Sequence, residues 1–195
     1  VSDATGLGDT IHFCRYLPLL VARGARVSFL GHARLHRLLQ PLAAQVQLLS
    51  DRPPEASFDR HCKLLSLPHL FGTDLATIPS GNPYLFAEPE AIAHWAARIG
   101  RQGFRIGVCW QGNPGRLIDA GRSIPLAAFA PLLDVPGIRL ISLQKNFGLA
   151  QLADLPDGAV ETLGDDFDAG PDAFIDTAAV MANPALVITS DTSVA

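Results

Sequence analysis

Short apolar runs alternate along the whole chain with longer stretches whose apolar positions recur at helical spacing. Residues 11–21 are apolar enough for a buried helix, which the glycine of "ARGAR" ends before a new strand begins. That strand is "RVSFLG" (26–31). The following "ARLHRLLQPLA" has helical period but is interrupted by Pro41, "VQLLS" reads as a second short strand, and "DRPPEAS" is a polar loop. "DRHCKLLSLPHLFG" predicts a third strand and a short helix. The proline- and glycine-rich stretch "ATIPSGNPYLFAEPE" (76–90) then breaks the pattern as a surface linker. It leads into a helix with Pro89 in its first turn, one apolar stripe formed by Ile92, Trp95, Ala96 and Ile99, and a stop at Gly100 and Gly103.

Alternation resumes after that helix. "FRIGVCW" (104–110) reads as a strand, "IPLAAFAPLLD" as a helix, "GIRLISLQ" as a strand, "PDAFIDTAAVMAN" as a helix and "ALVITSD" as a strand. Strands alternating with helices predict parallel sheets with crossover helices, hence an α/β protein. The restart after a linker predicts two Rossmann-like domains facing a cleft: residues 1–87, a linker helix at 88–103, and residues 104–195. No convincing strand precedes "GLGDT" and the chain ends just after a strand, so the expectation is a fragment trimmed at both ends, its second domain incomplete.

Composition sharpens this in three respects. With 195 residues, 48% hydrophobic and 17% charged, the chain has enough apolar material for real cores and is not of disordered type. Residues 1–100 carry 9 basic and 8 acidic side chains while residues 101–195 carry 6 and 11, so the charge changes sign between the halves. No basic stripe suits a nucleic-acid backbone, and no apolar run approaches the ~20 residues of a membrane span. Cys14, Cys62 and Cys109 are far apart and sit in or beside apolar runs, as buried thiols in a reducing, cytoplasmic compartment would; no paired ligands at zinc spacing occur.

The candidate chemistry lies in loops at strand ends. "TGLGDTI" departs from a dinucleotide fingerprint because Ile11 stands where the third glycine belongs, which disfavours nicotinamide binding. Gly6 and Gly8 instead allow a tight loop at a helix start: the place either holds Asp9 ionised as a general base or receives a phosphate, the bland alternative being that Asp9 merely caps the helix. "WQGNPGRLIDAGRSIP" (110–125) supplies Trp110, Gln111, Asn113, Arg122 and Ser123 where an open α/β sheet binds ligands, and Arg122 suits bidentate phosphate contact. Trp110 as core and Arg122 as plain surface are the bland alternatives. "SLQK" puts Gln144 and Lys145, one of only two lysines, at a strand end. "TSDTSVA" offers the hydroxyls of Ser190, Thr192 and Ser193, with Asp191 an orienting carboxylate rather than a base. The acidic "GDDFDAGPD" fits no calcium loop and reads as solvated. His12 lies one turn from Asp9.

Taken together and in order, "GLGDTIHFCRYLPLLVARGARVSF", "DRHCKLLSLPHLFGT", "RIGVCWQGNP", "GRSIPLAAFAPLL", "IRLISLQK" and "LVITSDTSVA" resemble the catalytic region of bacterial tetratricopeptide-repeat proteins with a heptosyltransferase-like, family 9 glycosyltransferase domain. The resemblance covers essentially the whole chain. It implies a GT-B fold, a nucleotide sugar as co-substrate with no separate cofactor, an acceptor glycan, lipid or protein, inverting transfer without a metal, and tetratricopeptide repeats elsewhere in the full-length chain. It also implies Asp9 as catalytic base, Arg122 at the donor phosphate where the family often has lysine, and Asp191, Thr192 and Ser193 as the start of the diphosphate loop. There Ser193 replaces the usual glycine, and the chain stops before the expected histidine. The alternative is a non-catalytic sugar-nucleotide-binding module of a larger repeat protein.

Overall fold

A computed structural model describes residues 1–2, 6–54, 57–80, 83–115 and 121–195. It divides into two compact units: Val1–Phe86 with Pro171–Phe174, and Ala87–Gly170 with Ile175–Ala195.

In the first unit, α1 (Leu7–Phe13) runs through a single 3-10 turn (Cys14–Tyr16) into α2 (Leu17–Ala22), so the expected helix over 11–21 begins earlier and is tightened in its middle. Pro18, within the first turn of α2, lacks the N–H that would bond back across that junction. β1 (Val27–Leu30) pairs in parallel with β2 (Val46–Leu49). Between them the expected helix is absent and only 3-10 turns form at Ala33–Leu35 and Gln40–Ala44, because Pro41 cannot continue an α-helix. Two expectations at the sheet edge change. Ser2 bridges both Leu30 and Lys63 in parallel, so a strand position does precede "GLGDT", whereas the third strand shrinks to that one bridge at Lys63. A 3-10 turn (Leu64–Ser66) and α3 (Leu67–Leu70) follow. Val27, Phe29 and Val46 point into the core with Leu17, Leu35 and Leu64, and Ser28 and Leu30 occupy the other face of β1.

The second unit opens with α4 (Pro89–Ile99), started by Pro89 and stopped by Gly100 at φ +71°. Its sheet consists of β3 (Phe104–Cys109), β4 (Ile138–Ser142), β5 (Val160–Glu161) and β6 (Leu186–Thr189), all parallel, in the order β5-β4-β3-β6. Both faces are covered, as parallel sheets require. Ile106, Val108, Trp110, Leu140 and Val160 pack on one side with Leu126 and Phe129. Cys109, Ile141 and Leu143 pack on the other with Trp95 and Ile99 of α4 and Ala179 and Val180 of α6 (Ile175–Met181). The helix expected over "IPLAAFAPLLD" is a 3-10 turn (Leu126–Phe129) followed by α5 (Ala130–Leu133), split where Pro131 interrupts the hydrogen-bond ladder. β5 and the 3-10 stretch Leu149–Asp154 have no counterpart in the sequence pattern. Among the described residues no helix is long and apolar enough to cross a membrane.

Candidate functional site

The strand order places a topological switch beside β3, since β4 and β5 lie to one side of it and β6 to the other. In open parallel sheets the loops leaving such neighbouring strands separate to opposite faces and leave a crevice at their carboxyl ends. Here those loops begin at Trp110, after β3, and at Ser190, after β6.

Arg122 joins the two loops. Its Nη2 donates to the main-chain oxygen of Asp191, and its Nε lies 3.0 Å from Asp191 Oδ2. The Nε approach has ion-pair distance without hydrogen-bond alignment, so its attraction is coulombic. Asp191 is 76% exposed and Arg122 37% exposed, which keeps this pair within solvent reach. A guanidinium has five N–H donors in a planar fork, and Asp191 engages only one edge of it. Thr192 Oγ1 accepts from Val194 N at 3.3 Å and lies 3.3 Å from Thr189 Oγ1, which orders the turn after β6. Ser193 is half-buried in that turn. Ser190 is 3% exposed, and its hydroxyl has no hydrogen-bond partner among the described residues. Burial raises the Cys109 thiol above its ordinary value, with hydrogen bonds from Thr192 and Thr189 pulling weakly the other way, so it stays a protonated core group.

The loop after β3 is held by Gln144. Its Oε1 accepts from the amides of Trp110 and Gln111, both at 2.9 Å, and its Nε2 donates to the carbonyls of Gln111 and Phe147, both at 2.8 Å. One buried amide thus ties the end of β3 to the chain leaving β4. Every one of those bonds is internal, and Gln144 therefore shapes the loop rather than facing solvent. Trp110 is fully buried in the core and donates its indole N–H to Gly148 O at 3.1 Å. Gln111 accepts from Gln151 Nε2 at 2.7 Å, Gly112 N donates to Ser123 Oγ at 3.2 Å, and exposed Asn113 folds back to accept from Gly115 N at 2.9 Å. Lys145 donates to Phe167 O and lies against the Phe167 ring. Residues 116–120 of this loop, including Arg116, lie outside the described residues.

In the first unit, Gly6 is the N-cap of α1 and Asp9 occupies the third helical position. The Asp9 carboxylate reaches back to accept from Gly6 N at 3.2 Å, and its side chain is exposed. The glycines act differently from expectation: Gly6 has an ordinary φ of −73°, and Gly8 lies inside the helix rather than in a loop. His12, at the end of α1, has its pKa lowered by burial first and then by Arg15, with Asp9 opposing, so it is neutral at pH 7.

Sequence reasoning missed one constellation. Asp168, within the acidic stretch expected to be solvated, accepts from Asp176 N at 2.9 Å and from the Thr177 hydroxyl and so caps α6; Asp176 returns the bond by accepting from Asp168 N and from Trp95 Nε1, both at 2.8 Å. Asp166 pairs with Arg98 at 2.5 Å. Asp168 has a positive φ of 44°, a backbone state that aspartate tolerates and periodicity does not reveal. Asp166 and Asp168 thus have partners in α4 and α6 rather than lying loose in a solvated loop.

No protein-family model matches the chain. Protein FlbA of Caulobacter vibrioides is 26% identical over 165 residues, which span 74% of this chain and 28% of FlbA. Two solved structures of the TibC glycosyltransferase of enterotoxigenic E. coli are similar in fold, with TM-scores of 0.55 and 0.52 at 15% and 14% identity. They are matched by 97% and 98% of this chain, which spans 52% and 53% of theirs; the second is a heptosyltransferase in complex with ADP-D-beta-D-heptose. The fold is therefore that of half of TibC. TibC is described as iron-containing, and among the described residues here no three His, Cys, Asp or Glu side chains gather to hold a metal ion.

Proposed function

We propose that this chain is the nucleotide-sugar-handling region of a glycosyltransferase of GT-B type, transferring a hexosyl or heptosyl group with inversion to an acceptor hydroxyl on a glycan, lipid or protein. The observation that carries the reading is the Arg122–Asp191 pair joining the loops after β3 and β6 at the switch point of the second sheet. An arginine held there by a carboxylate is oriented for an anionic ligand, and the TibC complex supplies a chemically fitting one in a protein of like fold.

In this mechanism the acceptor hydroxyl gives its proton to Asp9 while its oxygen forms a bond to the anomeric carbon, and the nucleoside diphosphate leaves from the opposite face with the electron pair of the broken C–O bond. Arg122, Lys145 and the main-chain amides around Asp191, Thr192 and Ser193 meet the charge that develops on the leaving diphosphate. Gln144, Gln111, Asn113 and Ser123 hold the loop after β3 in shape, and Trp110 backs it from the core. Tetratricopeptide repeats elsewhere in the full-length chain and a cytoplasmic setting belong to the same proposal.

One observation favours the second reading, a non-catalytic binding module: the Asp9 carboxylate already serves the Gly6 amide as a helix cap. Asp9→Asn in the full-length protein separates the two. Loss of a general base lowers transfer by roughly 10²–10⁴-fold with donor affinity nearly unchanged. Unchanged transfer removes Asp9 from the base role, and donor binding without turnover in the unmutated protein supports the module.

A further inference from the structure

The first unit contains a cavity of about 600 Å³ that lies on the face of β1 opposite the core. Ser28 and Leu30 of β1 and Leu49 of β2 form its floor, as the two-residue alternation of Val27 and Phe29 into the core demands. The strand order explains why it is open. β2 lies on one side of β1, and Ser2 and Lys63 on the other, so the connection from β2 to Lys63 has to cross this sheet face. In most α/β sheets a helix fills that crossing. Here the crossing segment carries Pro53 and Pro54 and no α-helix among its described residues, which leaves a space between loop and sheet.

Its walls are of two kinds. Leu30, Leu49, Pro53 and Phe58 supply apolar surface, and Phe58 is 43% exposed despite facing this space. Arg52, Arg60 and Lys63 supply positive charge, with Asp59 the single carboxylate among the lining residues, in a chain of net charge −4. Arg60 donates one N–H to the carbonyl of Asp59 at 3.0 Å, and neither Arg60 nor Lys63 has an ion-pair partner among the described residues. Ser2 Oγ and His61 Nε2, 2.9 Å apart, add further hydrogen-bonding groups. The Val1 nitrogen donates to Ser28 O at 2.8 Å.

We propose that this cavity binds an acidic small molecule, a ring or other partly apolar body carrying one phosphate or carboxylate, with the body on Leu30, Leu49 and Phe58 and the acid group on Arg60 and Lys63. Apolar walls with a few polar or charged groups are the usual make-up of such a site. This site stands independently of the transferase reading, since none of its residues takes part in it.

Fluorescence of anilinonaphthalene sulfonate, an aromatic acid of this type, tests it in the full-length protein, with inorganic phosphate, glucuronate and uncharged glucose as competitors. Saturable dye binding that phosphate or glucuronate displaces and glucose does not is the expected result, and the competitor that acts identifies the acid. Arg60→Gln with Lys63→Gln weakens that displacement by roughly tenfold or more, the scale of a lost charge-assisted hydrogen bond, while Arg60→Lys with Lys63→Arg retains it. Arg122→Gln leaves it unchanged. No saturable binding, displacement by glucose as readily as by the acids, a double glutamine variant that behaves as wild type, or loss of displacement in Arg122→Gln each overturns the proposal.

Discussion

Gly148 shows how one residue sustains the candidate donor loop. Its φ of +82° suits glycine, and a Cβ there would sit 2.8 Å from Gln111 Oε1 and 3.0 Å from Trp110 Nε1. Gly148→Ala is therefore expected to destabilise the protein by about 1–3 kcal/mol, read as a lower urea midpoint, and to disturb the loop carrying Gln111. An unchanged midpoint would show that Gln111 and Trp110 yield without cost. None of this is visible in "NFGLA", because the crowding comes from a loop more than thirty positions away in the chain. Arg122 was legible as a candidate because arginine before a helix, at a strand end, is an anion-binding pattern. Its partner Asp191 required the parallel pairing of β3 with β6.

At the scale of elements, α4 and α6 are joined by polar bonds as well as by packing. Trp95 is 1% exposed, packs edge-on against Phe167 at 5.6 Å and donates to Asp176. Trp95→Ala should cost about 3–5 kcal/mol as a large core truncation. Trp95→Phe keeps the ring but leaves Asp176 Oδ1 without that donor, costing about 1–3 kcal/mol. A Trp95→Phe midpoint equal to that of wild type would refute a separate polar contribution.

The cap beneath this helix pair titrates. Burial raises the Asp168 carboxyl above 3.8, against the opposing hydrogen bonds from Thr177 and Asp176. The folded state therefore takes up the proton more readily than the unfolded chain. Its contribution to stability grows as pH falls through the raised value towards 3.8, and it diminishes as pH rises back through that value. Asp168→Asn removes this dependence, so wild type should gain on the variant as the pH is lowered over that interval in paired urea titrations. A constant difference would show that the hydrogen bonds to the carboxylate balance its burial. Asp168→Ala loses the cap itself, at about 1–2 kcal/mol.

Across the whole molecule, the α/β class and the strands of the second unit follow from local pattern. Ile106 and Val108 alternate with Arg105, Gly107 and Cys109, and that two-residue period already specifies two faces to be covered. Helices were over-read for a local reason as well: Pro41 and Pro131 sit inside apolar periodicity and break it, leaving only a 3-10 turn at Pro41 and a 3-10 turn followed by the short α5 at Pro131. The strand cores, the glycine and proline stops, and the residue types at strand ends are legible in the chain alone, because each depends on neighbours within a few positions. The order β5-β4-β3-β6, the Arg122–Asp191 pair, the Asp168 cap and the cavity over β1 arise from the packed fold. Each of these joins groups through sheet pairing or a positive φ, and both are settled by the balance of the packed whole rather than by any short stretch of chain.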